Sequence, residues 1–330
     1  MSKSDMDATK ADTVARPEIV GFLLIEGFPL MTYAAAVEPL RAANSLSGRE
    51  LYTWRHISLD GTAAEASNGA RILADHAVGD DAALDILFVC AGGNPALFSH
   101  GPTLAWLRRL AQAGVRIGGL SGGPYILARA GLLEGRRCTI HWEHQPALAE
   151  EFPQLKLQRT LFEIDRDRLT CAGGVAALDL ALALIGQAHG QALAAQVGEW
   201  YLLTQVREGG AAQRMALQER FGVSHPTLIQ ALALMEQHIE DPIPAGRLAE
   251  LVGLSPRQLE RLFAAHLGTA PAKHYLALRL ERAQALLRQS PLSVTEVGLA
   301  CGFVSPSHFS RVYRQGFGRS PAGERAAAKR

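Results

Sequence analysis

The chain has 330 residues, 48% hydrophobic and 20% charged, with a formal net charge of +1. It is long enough for about two or three domains, and its composition is that of a globular protein, not of a disordered or fibrous one. No run approaches the ~18 apolar residues of a membrane helix, and Cys90, Cys138, Cys171 and Cys301 lie scattered without metal-ligand spacing. Buried, reduced thiols are expected for them.

Residues 1–16 are polar, of mixed charge and without an apolar signal core, so a disordered tail and a cytoplasmic location are expected. Residues 17–206 alternate two patterns. The stretches 18–25, 84–90 and 115–120 are continuous apolar runs of strand length, and helical patterns follow at 32–46, 103–113 and 124–130. This alternation predicts an α/β domain of flavodoxin-like type, with a mostly parallel sheet sandwiched by helices. A last long helix over 175–189 packs on that sheet, and 190–206 also reads as helical.

In such folds chemistry sits where strands end and helices begin. The junction Gly118-Gly119-Leu120-Ser121-Gly122-Gly123-Pro124 matches G-x-S-x-G, the nucleophile elbow, in its strand–turn–helix context. A second glycine turn, Ala91-Gly92-Gly93-Asn94-Pro95, offers backbone N–H groups as an anion nest. His141 and Trp142 follow further on. Two readings stay open. In one, Ser121 is a hydrolase or amidase nucleophile, His141 its base, and the Gly92 and Gly93 amides are oxyanion donors. In the other, the same groups line a binding pocket. The hydrolase needs a third group to orient His141, and the sequence places none of Asp165, Asp167 or Asp179 beside it.

Residues 18–190 resemble the class I glutamine-amidotransferase-like superfamily, in its PfpI-type branch of intracellular proteases and isocyanide hydratases. The resemblance is carried by Gly123-Pro124, by Leu127-Ala128-Arg129-Ala130-Gly131-Leu132-Leu133, by Gly135-Arg136, and by Thr139 with His141-Trp142. It implies an elbow cysteine, whose thiolate is the stronger nucleophile, where Ser121 stands. It also implies a tuning carboxylate where Thr32 stands. On this resemblance the catalytic pair is lost, with no cofactor and no metal expected. Thr32, Gly92, Gly93, Ser121, His141 and Trp142 then become the lining of a ligand site. Phe28, Tyr33, Trp142 and Glu143 are candidates for an aromatic cage around a quaternary ammonium, and Trp200 and Tyr201 for core or interface positions.

Residues 207–224, with Gly209-Gly210, read as a linker. The remainder, 225–330, says nearly the same thing twice. Ser255-Pro256 opens a helix with Leu259, Leu262, Phe263 and Leu267 on one stripe, and Gly268 and Pro271 follow it. Ser305-Pro306 opens another with Phe309, Val312, Tyr313 and Phe317, and Gly318 and Pro321 follow. Each has a hydroxyl N-cap, proline at the first helical position and glycine at the end. A short helix and a glycine turn precede each copy, which is the helix-turn-helix plan. The outer faces carry Arg257, Gln258 and Arg261, and Ser307, His308, Arg311 and Arg314, side chains suited to base edges and phosphates. Residues 272–289 read as one helix of roughly 25 Å joining the units. Charge is segregated to match: residues 211–330 hold 15 Lys/Arg against 9 Asp/Glu, the rest 18 against 23. A basic reader half fits an anionic polymer.

This half resembles the AraC/XylS regulators through Gly253-Leu254-Ser255, Leu278-Arg279-Leu280 with Arg282-Ala283, Cys301-Gly302-Phe303, and Ser307-His308-Phe309 on to Gly318-Arg319-Ser320-Pro321. The resemblance implies an all-α tandem helix-turn-helix domain in which Arg279 is a structural residue, not a DNA contact. Joined to a degenerate amidotransferase-like domain, it implies a non-enzymatic regulator, an activator of a catabolic operon responding to a small nitrogen metabolite. Relatives responding to glycine betaine, carnitine or arginine share segments like Ala36-Val37-Glu38-Pro39-Leu40-Arg41-Ala42-Ala43-Asn44. Expected partners are promoter DNA, a small-molecule inducer, RNA polymerase and a second copy of the chain, with no membrane.

Overall fold

The three apolar runs become the middle of one sheet. The structure, a computed structural model, describes residues 16–328, so positions 1–15 of the expected tail lie outside the described residues. Arg16 is paired with Asp85 at 2.6 Å. The N-terminal elements are β1 (Glu18–Leu24), α1 (Leu30–Ser47), β2 (Tyr52–Ser58), β3 (Ala64–Glu65), β4 (Arg71–Ile72), β5 (His76–Ala77), β6 (Ile86–Ala91), α2 (Gly101–Gln112), β7 (Arg116–Ser121), α3 (Gly123–Arg129), β8 (Arg137–Cys138), α4 (Gln145–Glu151), β9 (Lys156–Leu157), β10 (Phe162–Asp165), β11 (Arg168–Cys171), α5 (Ala176–His189) and α6 (Gln191–Trp200).

The sheet order is β10-β11-β7-β6-β1-β2-β5, and every pairing is parallel except β10 with β11. Successive side chains of a strand point to opposite faces, and the two faces hold different cores. Phe22 and Leu24 of β1 join Phe88, Leu120 and the inner sides of α1 and α5. Leu23 joins Leu87, Val89, Ile117 and the residues of α2 and α3. The chain leaves β1 for β2 on one side and returns to β6 on the other, so the order reverses beside β1. The loops at the carboxyl ends of β1 and β6 therefore flank a switch-point crevice. All four cysteines are free and buried.

The C-terminal half is α7 (Leu217–Phe221), α8 (Pro226–Gln237), α9 (Ala245–Leu251), α10 (Pro256–Leu267), α11 (Pro271–Gln289), α12 (Val294–Ala300), α13 (Pro306–Phe317) and α14 (Pro321–Ala328). Ser255 and Ser305 accept the N–H groups of Gln258 and His308, and Gly268 and Gly318 end α10 and α13 in the left-handed conformation. The tight turns before both helices hold Gly253 at φ 71° and Gly302 at φ 75°, conformations that only glycine adopts cheaply. At 19 residues α11 is about 28 Å long. It is the spine of this half. Tyr275 donates its hydroxyl to His238 O at 2.5 Å, while Arg279 donates to Cys301 O and Gly302 O at 2.8 and 2.7 Å and lies over the Phe303 ring.

The stretch expected as a linker differs from that expectation, because much of it is fastened down. Arg207 donates from N, Nε and Nη2 to the buried Asp179 carboxylate at 3.1, 3.0 and 2.6 Å. Leu161 N donates to Gly209 O, and Gln213 Nε2 is shared among Thr139 Oγ1, Ile140 O and Thr160 O. Further on, Leu217, Phe221 and Val223 already belong to the core of the first reader unit. The two halves also touch directly. Leu280, Ala283, Leu286 and Leu287 of α11 share an apolar cluster with Ala147 and Leu148 of α4. Beside them the His144 ring donates from Nδ1 to Gln289 Oε1 at 3.0 Å, both side chains being buried.

Two outcomes are expected. A Cβ on Gly123 would overlap the Val89 carbonyl, so Gly123→Ala forces α3 off the sheet and should cost about 3 kcal/mol, read as a lowered urea midpoint. Burial, reinforced by the neighbouring His141, pushes the His144 imidazole down to about 4. An unfolded imidazole titrates near ~6.5, so on acidification the unfolded chain takes up the proton first. This contribution is complete above about 6.5 and fades as the pH falls toward 4, by up to about 3 kcal/mol. Unfolding midpoints should fall across that window, and fall less steeply in His144→Gln.

Candidate functional site

The elbow is built as its glycines suggest. Ser121 ends β7 with φ 57°, a conformation costing a non-glycine residue about 1–3 kcal/mol, and it is only 6% exposed. Three neighbouring segments close on it. Ala91, the last residue of β6, pairs with Ser121 and accepts Gly122 N at 2.8 Å, which brings Gly92 and Gly93 alongside. Gly92 cannot carry a side chain, because a Cβ would stand 2.8 Å from Gly27 O. His141 N donates to Ser121 O at 3.2 Å, so the His141-Trp142 turn is tied to the elbow through its backbone. The third segment is a turn that the sequence reading missed, Gly173-Gly174. A Cβ on Gly173 would lie 2.7 Å from Ser121 Cβ and 3.0 Å from Thr32 Oγ1. Its one signal was the Gly-Gly pair itself, because the strand before it, Arg168-Leu169-Thr170-Cys171, lacks the continuous apolar run that precedes the two recognised glycine turns.

Thr32, Gly92, Gly93, Ser121 and His141 therefore meet at the carboxyl ends of β1, β6 and β7. Thr32 is 1% exposed, and its hydroxyl oxygen accepts Gly174 N at 2.7 Å. It holds the Gly173-Gly174 turn over the elbow where a tuning carboxylate was implied. Burial pulls the His141 imidazole below its ordinary value, with Glu143 opposing, and the Glu143 carboxylate stands 3.9 Å from Nδ1. At that distance Glu143 does not orient the ring, since Nδ1 accepts the Glu143 backbone N–H at 3.4 Å and has no proton to give the carboxylate. Among the described residues, however, no hydrogen bond joins the Ser121 hydroxyl to the His141 ring, and a nucleophile–base contact is the first requirement of the triad. The aromatic cage is not assembled. Phe28 and Tyr33 are core residues packed edge to face, Tyr33 OH meets His56 Nε2 at 2.7 Å, and the Trp142 ring carries Arg214 at 4.8 Å from its centroid. Trp200 is half exposed, and Tyr201 donates its hydroxyl to Glu38 O at 2.8 Å.

The second site lies on the reader half. Arg257, Gln258 and Arg261 on α10 and Ser307, His308, Arg311 and Arg314 on α13 are all exposed, opposite Leu259 and Phe263 in one unit and Phe309, Val312 and Tyr313 in the other. Gln258 needs one correction. Its Oε1 accepts Ser255 N at 2.8 Å in a capping box, so only its amide nitrogen is left to offer to a base, and the two-point adenine contact is not available without breaking the cap. Arg279 is committed to the carbonyls of the second turn, as its structural role implied.

Comparison with known proteins agrees with both halves. The DJ-1/PfpI family matches residues 20–187, and a helix-turn-helix domain matches residues 248–327. The HTH-type transcriptional regulator CdhR of Pseudomonas aeruginosa is 48% identical over 305 residues, 92% of this chain and 90% of that protein. The HTH-type transcriptional regulator GbdR of the same species is 44% identical over 309 residues, 94% of this chain and 84% of that protein. Among solved structures, an AraC family transcriptional regulator from Pseudomonas putida superposes with a TM-score of 0.51 at 32% identity, covering 56% of this chain and all of that one. Both relatives are regulators by name, and this chain is likewise a regulator and not an enzyme. It belongs to the AraC-type helix-turn-helix transcriptional regulators that carry a DJ-1/PfpI-type N-terminal domain.

Proposed function

We propose that this DNA-binding regulator is an activator of a catabolic operon, switched by a small nitrogen metabolite of the betaine, carnitine or arginine kind bound at the elbow. The observation that carries the DNA part is the pair of capped helices α10 and α13, whose exposed faces bear Arg257, Arg261, Arg311 and Arg314. They are held on one rod of about 28 Å, close to the ~34 Å of a DNA turn, so both can enter successive stretches of major groove. The ligand part is supported by the convergence of Gly92, Gly93, Ser121 and His141 at a sheet switch point, where open α/β sheets bind their ligands. Trp142 stands at the rim. A serine nucleophile without a hydrogen-bonded base suits binding better than turnover.

In this mechanism the N-terminal domain pairs with a second copy, and inducer binding changes how the readers sit on the promoter and present RNA polymerase with its contact. The inducer does so only by binding one arrangement more tightly than the other. The site of action is the cytoplasm, with no cofactor; no described helix is long and apolar enough to cross a membrane.

On the strongest duplex selected from a random library by the full chain, Arg257→Ala or Arg311→Ala should weaken binding by about 1–3 kcal/mol. Wild-type affinity in both variants would overturn the face assignment. In a thermal-shift panel of nitrogen metabolites, one compound should stabilise the full chain, by about 2.7 kcal/mol at a hundred times its dissociation constant. Ser121→Leu, which fills the elbow, should abolish that shift. A response unchanged in Ser121→Leu would place the ligand elsewhere.

A further inference from the structure

Two walls of the elbow site, the His141 turn and the glycine nest, end on reader-half contacts. From Ser121 O, one series of bonds runs through His141 N, then from His141 O to His144 N at 2.9 Å, and from the His144 ring to Gln289 on the last turn of α11. A second series starts where Ser121 pairs with Ala91 and passes along the glycine nest to Asn94, whose Nδ2 donates to Arg288 O. Two separate walls thus converge on consecutive residues of one helix. Arg288 in turn pairs with the buried Glu324 of α14 at 2.7 Å, inside the second reader unit. The same His141 turn also reaches the first unit. Gln213 donates to Ile140 O, Arg214 lies over Trp142, and its guanidinium stands 3.9 Å from Glu236 of α8.

We propose that the turn 140–144, together with Asn94, is the relay through which occupancy of the elbow site sets the position of α11 and hence of both DNA readers; this rests on reading the elbow as a ligand site. The contacts have the physical character a relay needs. His144 and Gln289 are 3% and 6% exposed, so withdrawing the ring leaves a buried acceptor unpaired, which folded proteins avoid. The turn and the helix end therefore move together or break as a unit, giving two discrete arrangements in place of a continuous deformation. A ligand wedged between Ser121, Gly92 and His141 pushes on the turn and the nest loop at once. α11 is clamped to both units, through Tyr275 on one side and Arg279 on the other, so displacing its C-terminal end re-aims α13 against α10 without touching either DNA face.

The test uses hydrogen–deuterium exchange on the full chain and needs neither an inducer nor an operator. Gln289→Ala is read at the distant peptide spanning 119–124, with 91–97 and 139–145, which hold the direct contacts Asn94 and His144, as neighbour controls; Ser121→Leu is read at the distant peptide spanning 286–292. Coupling is reciprocal, so each substitution should change exchange at the distant peptides by about fivefold or more. Changes confined to the peptide containing the substitution and its immediate packing neighbours would overturn the relay. If Gln289→Ala unfolds the protein outright, Gln289→Met decides: it keeps the side-chain volume and stays uncharged but removes the acceptor for His144, so a relay predicts changed exchange at 119–124, and exchange there close to wild type refutes it. Neither result depends on whether a metabolite stabilises the chain or a duplex is selected, so failure of the relay is distinguishable from failure of the sensor reading.

Discussion

Helix α11 is the constraint on which the second half of the molecule depends. A helix of 19 residues is a stiff object, and three kinds of contact use it as their reference. Tyr275 fixes the segment after α8, Arg279 fixes the turn of the second unit by donating to two carbonyls that would otherwise be left without partners at a helix end, and Gln289 meets the α/β domain. A planar guanidinium suits that middle role. It offers several donors in a fixed fork while its face stacks on Phe303. The recognition helices are placed by these interior contacts; on their outer faces Gln258 serves its own cap and the His308 ring lies against Phe303.

The α/β half is organised around a comparable constraint, the close approach of backbone at the elbow. Gly123 lets α3 touch the β6 backbone, and Gly173 lets the turn after β11 rest on Ser121 and Thr32. This geometry is what a nucleophile elbow requires, and the residue it presents is a serine, with φ 57°. A hydroxyl is a poor nucleophile without a bonded base. Thr32 illustrates the change of use. The position implied for a tuning acid now supplies a buried hydroxyl that bonds Gly174, a structural task that a charged carboxylate buried without a cationic partner would perform at a high desolvation cost.

The segment between the halves matters as much as either. Asp179 is almost wholly buried, and its ion pair with Arg207, with Gln213 bonded beside the β8–β9 ribbon, fastens most of that segment to the α/β domain. The reader half is joined to the α/β domain through defined contacts, among them His144 with Gln289 and α4 with α11.

Much of this was legible in the chain. Continuous apolar runs at β1, β6 and β7 identified the buried centre of a parallel sheet, because strands covered on both faces have no polar side to alternate with. The Ser-Pro openings and terminal glycines of α10 and α13 identified both readers, since caps and left-handed positions are decided within a few residues. The peripheral strand β2 was not legible: its mixed run from Tyr52 to Ser58 carries arginine and histidine, and only pairing with β1 makes it a strand. Nor were Gly173 at the elbow, the burial of Phe28 and Tyr33, the capture of Gln258 by its own cap, or the bond from His144 to Gln289, 145 positions along the chain. Periodicity and capping are local and survive in one dimension. Which side chains meet across the crevice and between the halves depends on long-range packing, and only the folded chain decides it.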